Sequence, residues 1–339
     1  MSASDITFNH QNYHQKVSSL WDLTLDRLNT LLIRFVLFHA VFVAICLLEL
    51  ACFLSFLHNL SHPTVLAFTL ALFFMTVFSF LVLRLYVFAK RPDVVADLVD
   101  DYLLRCKEML RYQEGIPEHH IALANAAHKL AHYLHEKEYT YYTPPFFLKN
   151  LSATFEKFSC FCHWKDFFQI KELLLQAAVD EHIKVVKCEP TNLEVHAALA
   201  NAYVTLSALY ADPRKYQGYD GERWLPPQRL GSSMQEKFRL TAQKAIEEFK
   251  ILKDYAPHDP WVHMQLAYSY HDLHMPAEEI TEYEALLHLK PDDPDTLFKL
   301  GVLYFQQGLN AKGLHIFERL KHSHFKKAES LIKFYGSAS

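Results

Sequence analysis

Residues 294–320 read PDTLFKLGVLYFQQGLNAKGLHIFERL. Leu297, Leu300, Gly301 and Tyr304 recur at helical spacing along one stripe, Gly308 breaks the run, and Gly313, Phe317 and Leu320 mark the stripe of a second helix. Thirty-four residues upstream, PWVHMQLAYSYHDLHMPAEEITEYEALLHLKP begins at Pro260 and places Leu266, Ala267, Tyr270, Tyr283, Leu286 and Pro291 at corresponding positions. A period of this length holding two short amphipathic helices signals stacked hairpins, because each hairpin buries its apolar face only against its neighbours. Small residues at 301 and 267 let the two helices of a hairpin approach closely, while Tyr304 and Phe317 fill the space between hairpins. Two positions depart from the pattern: His263 stands where a large residue is expected, and Glu279 where a small one is.

The order large residue, Leu-Gly, Tyr, then small residue, aromatic and closing Pro resembles the tetratricopeptide repeat (TPR), which implies an all-α fold with a TPR-like α-solenoid. The resemblance covers about 117–325 and is closest over the two regular repeats at 258–325. Over 117–257 the repeats are degenerate and interrupted. LEVHAALANAYVTLSALY supplies Leu199, Ala200 and Tyr203 as a first helix, and Ala245, Phe249, Leu252 and Pro257 follow late, so 211–233, with Pro213, Gly218, Gly221, Pro226 and Pro227, is an inter-helix insertion. Upstream, Ala-Leu-Ala-Asn-Ala occurs at 122–126 and again at 198–202. Its second helix is QIKELLLQAAVDEHIKVV, with Ala178 at the small position and Pro190 at the close. The other insertion, 139–168, holds eleven aromatics in thirty residues. Such apolar area needs cover, from the repeat stack, from lipid or from a partner protein. A capping helix and tail fill 326–339.

Ahead of the repeats the chemistry changes. Phe35 to Leu57 is apolar apart from His39 and Glu49, and Thr64 to Leu83 carries no charge. About 20 apolar residues span a bilayer core of roughly 30 Å, so 31–90 reads as a transmembrane helical hairpin turning at 58–63. A cleaved signal peptide would be shorter and nearer the N-terminus. Residues 1–30 form an N-terminal amphipathic segment in which Trp21 is a candidate interfacial anchor, and 91–116 a juxtamembrane helix. Arg27, Arg34, Arg84, Lys90 and Arg91 flank the spans and the turn has only His58 and His62, which places both termini in the cytoplasm. Glu49, at mid-span, is expected to be protonated or to face its partner helix near Leu72, within a turn of the Thr69 and Thr76 hydroxyls.

The whole chain carries 34 basic and 38 acidic side chains over 339 residues. Five basic and four acidic ones lie before residue 91, leaving 29 against 34 in the remainder. An acidic remainder without a basic block disfavours nucleic acid as a partner. Six scattered cysteines, two inside the first apolar run, fit a reducing compartment better than a disulfide framework.

Candidate chemistry is sparse. Among 21 histidines, His128, His132 and His135 share a helical face and a His-x-x-x-His pair can hold zinc, but Lys129 stands where a zinc protease needs Glu. Cys160, Cys162 and His163 lack a second cysteine pair. Eight glycines form no phosphate-binding loop and no nucleophile elbow. No catalytic, cofactor-binding or metal-ligating set is therefore assigned. By position, the TPR resemblance implies a concave, peptide-binding face bearing Asn125, His128, Asn201, Trp261, Met264, Tyr268, His271, Phe298, Val302 and Phe305. Ile121 and Ala197 stand where chaperone-binding relatives place a clamp Lys, so the carboxylate-clamp role is not implied.

The leading expectation is a membrane-anchored, non-enzymatic adaptor or scaffold. Its partners are a protein or peptide in the groove and the lipid bilayer along 31–90. The alternatives are a metal-dependent membrane enzyme using the His128 stripe and a structural subunit of a larger membrane complex.

Overall fold

A computed structural model of the chain describes residues 10–55, 63–144, 146–215, 219–221, 223–323 and 325–336, and every regular element among them is helical. The expected turn at 58–63 lies, apart from Pro63, outside them. The chain divides into two compact units, one formed by 1–113 with 125–174, the other by 114–124 with 175–339.

In the first unit, α1 (His10–Ser55) and α2 (Pro63–Leu110) are 46 and 48 residues long, each more than twice the length a bilayer needs. Both contain stretches long and apolar enough to cross a membrane, of mean hydropathy 2.6 and 2.5. They pair antiparallel: Phe42 meets Phe80, His39 meets Phe88, and Arg27 is ion-paired with Asp101. Thr76 Oγ1 donates to Glu49 Oε1 at 2.5 Å, whereas Thr69 bonds back to the Val65 and Leu66 carbonyls. The helices change character along their length. Leu47, Phe68 and Met75 are exposed, while Leu28, Leu32, Val95, Val99 and Tyr102 are buried.

The sequence pattern changes at Pro92, but α2 runs on through it, and Gln169 Nε2 donates to the Pro92 carbonyl at 2.9 Å. Trp21 does not stand free as an interfacial anchor. It lies within α1, stacks on Tyr133 at 5.5 Å and donates to the Tyr102 hydroxyl at 3.2 Å, which in turn donates to the Ala126 carbonyl. The remaining elements of this unit are the C-terminal part of α3 (Pro117–Tyr133), the short α4 (Lys137–Thr140), a 3-10 turn at Phe146–Leu151 and the first half of α5 (Ser152–Cys188).

The second unit stacks helices in pairs: α6 (Leu193–Tyr210) with α7 (Ser232–Tyr255), α8 (Pro260–Asp272) with α9 (Pro276–Leu289), and α10 (Pro294–Gln306) with α11 (Asn310–His322). The start signals repeat. Asn192, Asp259 and Asp293 are N-caps whose side chains accept from Glu194, Trp261 and Thr296 backbone N–H groups, and Pro follows directly at 260 and 294. The turns repeat too: His274 and Gly308, 34 positions apart, both adopt positive φ, 56° and 70°. Ala267, Tyr283, Leu286, Leu300, Tyr304, Ile316, Leu320 and Leu331 form a continuous core. The short α12 (Ala328–Leu331) delivers Leu331 onto Gly301, where an added Cβ would lie 2.8 Å from Leu331 Cδ2 and 3.0 Å from Ile316 Cγ2.

The histidine at the large-residue position has a structural reason. His263 Nδ1 lies 2.7 Å from Glu282 Oε2 and its Nε2 2.9 Å from the Pro257 carbonyl. His196 repeats this with Glu248 at 2.7 Å and the Pro190 carbonyl at 3.0 Å, and His120 meets Glu181 at 2.6 Å. A polar pin between the first and second helices thus replaces the apolar plug in three hairpins. The His196 ring faces two acceptors, so its doubly protonated form satisfies both.

Candidate interaction surface

The residues assigned by repeat position to a concave face divide between the units. Asn125 and His128 are exposed on the part of α3 that belongs to the first unit. Asn201, exposed on α6, lies in the second, with the α8 and α10 residues.

On α8 the N-cap Asp259 fixes the first turn by accepting from the Trp261 N–H at 2.9 Å. Trp261 then sets its edge against Phe249, centroids 5.9 Å apart, and stays 38% exposed. Two turns on, Tyr268 is 40% exposed. Lys299 of α10 holds its ammonium 4.5 Å from the Tyr268 ring centroid and donates to the Tyr268 hydroxyl at 3.0 Å. Met264, Tyr268, Tyr283, Asp293, Asp295, Thr296 and Lys299 line a cleft of about 430 Å³. One wall is apolar and aromatic, and the other carries two carboxylates and an ammonium. The cleft can therefore take an apolar side chain while leaving hydrogen-bonding groups for a backbone.

His271 continues the α8 stripe. Its Nδ1 is 3.1 Å from the buried Glu279, the residue that replaces the expected small one. That hydrogen bond, working against burial, raises the His271 pKa above its ordinary value. On α10, Phe298 and Val302 are half-buried, and Phe298 meets Phe325 at 6.2 Å, so the C-terminal segment shares this stripe. Phe305 departs from its assigned place. It is 0% exposed and turned to the crossing with α11, where Gly313 leaves room for its ring and Tyr335 meets it edge-on at 5.7 Å.

Repeat position did not point to a second cleft, of about 810 Å³, on the side of the second helices. Glu284, His288, Tyr304, Lys312, His315 and Arg319 are among its lining residues. Tyr304 donates to Glu284 at 2.5 Å and Lys312 to the same oxygen at 3.1 Å; these bonds, the first above all, hold the Glu284 carboxyl below its usual range.

The histidine stripe does not extend to a third member, because α3 ends at Tyr133 and His135 falls in the turn beyond it. Burial and the neighbouring His132 lower the His128 pKa. Among the described residues no three His, Cys, Asp or Glu side chains gather as a metal site would need. His163 is buried beside Tyr142, whose hydroxyl is 2.8 Å from its Nε2; burial and then the Arg91 charge bring its pKa to about 4.

The molecule is thus an all-α protein whose second unit stacks helical hairpins with the TPR-like pattern, and solved TPR proteins are similar to it. No family model matches the chain, and no curated protein does. TTC0263, a thermophilic TPR protein in Thermus thermophilus, is 16% identical, with 62% of this chain and 96% of that one covered and a TM-score of 0.30. YrrB, a TPR protein with an unusual peptide-binding site, is 12% identical, with 68% and 97% covered and a TM-score of 0.30.

Proposed function

We propose that this chain is a non-enzymatic, membrane-anchored scaffold whose hairpin stack captures a protein segment along α8 and α10. The observation that carries the binding half is the exposed aromatic pair Trp261 and Tyr268 beside a formed cleft. Large aromatics that remain exposed next to a concavity are the residues from which interface hot spots are built. Asn201, Met264, His271, Phe298 and Val302 extend this surface along the first helices.

The anchoring half is supported by the exposure of the apolar stretches of α1 and α2. The best window of α1 is 6% buried within the chain and that of α2 is 0% buried, whereas a soluble core helix of the same composition would be covered. The Glu49–Thr76 hydrogen bond gives the mid-span carboxyl a partner across the hairpin, as a polar group in lipid requires. With basic residues flanking the spans, both termini lie in the cytoplasm and the hairpin stack faces that compartment. Tethering then raises the local concentration of whatever is bound.

A photo-crosslinking residue placed at Trp261 or Tyr268 of the full chain in its native membrane tests the surface. The reading predicts a protein adduct from both positions and none from Arg319 in the opposite cleft. Adducts from Arg319 alone would move the binding face to the second helices.

A further inference from the structure

Among the described residues, the aromatic insertion contributes the most exposed apolar side chains outside the spans. Phe146 is 93% exposed, Phe147 81%, Phe161 68%, Phe158 56% and Leu151 46%. The segment is not loose throughout. Ser159, Cys160, His163, Asp166, Phe167 and Phe168 are buried, Ser159 donates to the Glu138 carbonyl, and the Tyr141 ring packs tilted against His163 with centroids 4.5 Å apart. The unit therefore seats α5 firmly from residue 159 onward and leaves the two turns before it, with the 3-10 turn ahead of them, largely exposed, Phe158 stacking on Tyr142 at 5.7 Å.

The direction of that projection follows from two bonds inside the same unit. Arg91 of α2 is ion-paired with Asp166, and Gln169 donates to the carbonyl of Pro92. Asp166 and Gln169, in that order along α5, meet Arg91 and Pro92, in that order along α2, and we read the two helices as running the same way. The N-terminal end of α5 consequently lies on the side of Arg84 and the apolar run that ends at Leu83. At about 1.5 Å per residue, Phe161 stands roughly 7 Å and Phe158 roughly 12 Å before Asp166, level with residues near Tyr86 and Leu83 of α2. Ser152 reaches roughly 21 Å, which is about 9 Å past Leu83, within the 5–10 Å to which interfacial elements enter the boundary between headgroups and acyl chains. Lys149 and Lys157, both exposed, can extend to lipid phosphates while their stems lie along apolar surface.

From this geometry we infer that residues 146–161 form a second lipid contact, an aromatic foot that enters the bilayer leaflet beside the hairpin on its Arg84–Arg91 side. The inference rests on the reading of α1 and α2 as a membrane hairpin. Its occupant is phospholipid: the foot continues the apolar surface of the spans, carries two lysines against Glu156, and lies beyond the ion pair that ends the apolar stretch. The foot fixes the orientation of the unit on the membrane, which two helices free to rotate about their long axes cannot do alone.

Full-length Phe147→Trp protein in phosphatidylcholine–phosphatidylglycerol vesicles with brominated acyl chains tests it, with Phe74→Trp in the span as reference. The signal is the emission added over that of the parent chain. Both added signals should be lost, that of Phe147→Trp more to bromine near the headgroup and that of Phe74→Trp more to bromine deep in the chain. Loss at 74 without loss at 147 overturns the foot and assigns the insertion to protein contact. Retention at both positions overturns the hairpin reading itself.

Discussion

Gly313→Ala adds one carbon where the last hairpin closes, and its effect can be worked from the contacts. The new Cβ would lie 2.5, 2.7 and 2.9 Å from Cε1, Cδ1 and Cζ of Phe305, against about 3.5–4.0 Å for relaxed carbon contacts. These atoms belong to one rigid ring that is 0% exposed and backed by Tyr335, so the whole ring has to move. Overpacking of this kind costs about 1–3 kcal/mol, and a clash with a ring that has no free end belongs in the upper half of that range. Replacing Gly by Ala in a helix returns about 1 kcal/mol, which leaves a net loss of about 1–2 kcal/mol. At Gly301 the nearest atoms are methyl ends of Leu331 and Ile316, so Gly301→Ala should come out near neutral, whereas Gly301→Leu, four carbons in the same space, should lose about 1–3 kcal/mol or more. Urea unfolding of the full chain in mild detergent, read at a tertiary probe, measures both. Phe305→Leu should relieve Gly313→Ala, giving a coupling that two unrelated sites would lack. A Gly313→Ala protein stabilised by the helix-propensity gain alone would refute the placement of Phe305.

Three further outcomes follow from the hairpins. Burial pulls the His196 pKa down, but the hydrogen bonds to Glu248 and the Pro190 carbonyl and the Glu248 charge together outweigh it and raise the pKa. The pair's contribution is therefore complete below the ordinary histidine value of about 6.5 and is lost as pH rises through the folded-state pKa. The stability gap between the native chain and His196→Leu should narrow as pH rises above the ordinary histidine value of about 6.5; a gap independent of pH would contradict the charged pair. His274→Gly should stabilise the chain by about 0.5–1 kcal/mol, because a non-glycine residue in the left-handed region carries a steric cost that glycine lacks; calorimetric melting of the two proteins checks it. Truncating Tyr268 and Phe298 to Ala should weaken partner capture and leave helical content nearly unchanged, while Tyr304→Ala should lower stability, since Tyr304 is 5% exposed and bonds Glu284 of the preceding hairpin; capture assays and circular dichroism separate these, and intact capture with a stable Tyr304→Ala protein would move the binding face elsewhere.

The repeat was legible because its signals are local: Leu-Gly-x-x-Tyr spacing, a closing Pro, and a turn glycine at fixed distance. The all-helical outcome and the pairing of α8 with α9 and α10 with α11 follow from those signals alone. What the sequence hid was pairwise. His263 read as a flaw in the pattern until Glu282 stood 2.7 Å away, although His at 120, 196 and 263, each four places into a first helix, was the visible trace of a shared device. Phe305 was misplaced because repeat position assigns a face by angle and ignores the glycine opposite. Gly313 is legible as a small residue, whereas the large ring it admits is visible only in the packing. Trp21 is a similar case, since an apolar segment beside a span reads as interfacial, and its contacts with the Tyr102 hydroxyl and the Tyr133 ring are pairwise.

The central claim is that α1 and α2 cross a membrane as a hairpin and hold the hairpin stack on one side of it. Cysteine accessibility in sealed, oriented vesicles tests this most directly, using the full chain with its six native cysteines replaced and a single reporter at Asn59 or Ser330. The account predicts that a membrane-impermeant maleimide labels the two positions from opposite faces, Ser330 from the cytoplasmic one, and that the protein resists alkaline carbonate extraction. Labelling of both positions from the same face, or release by carbonate, would contradict it.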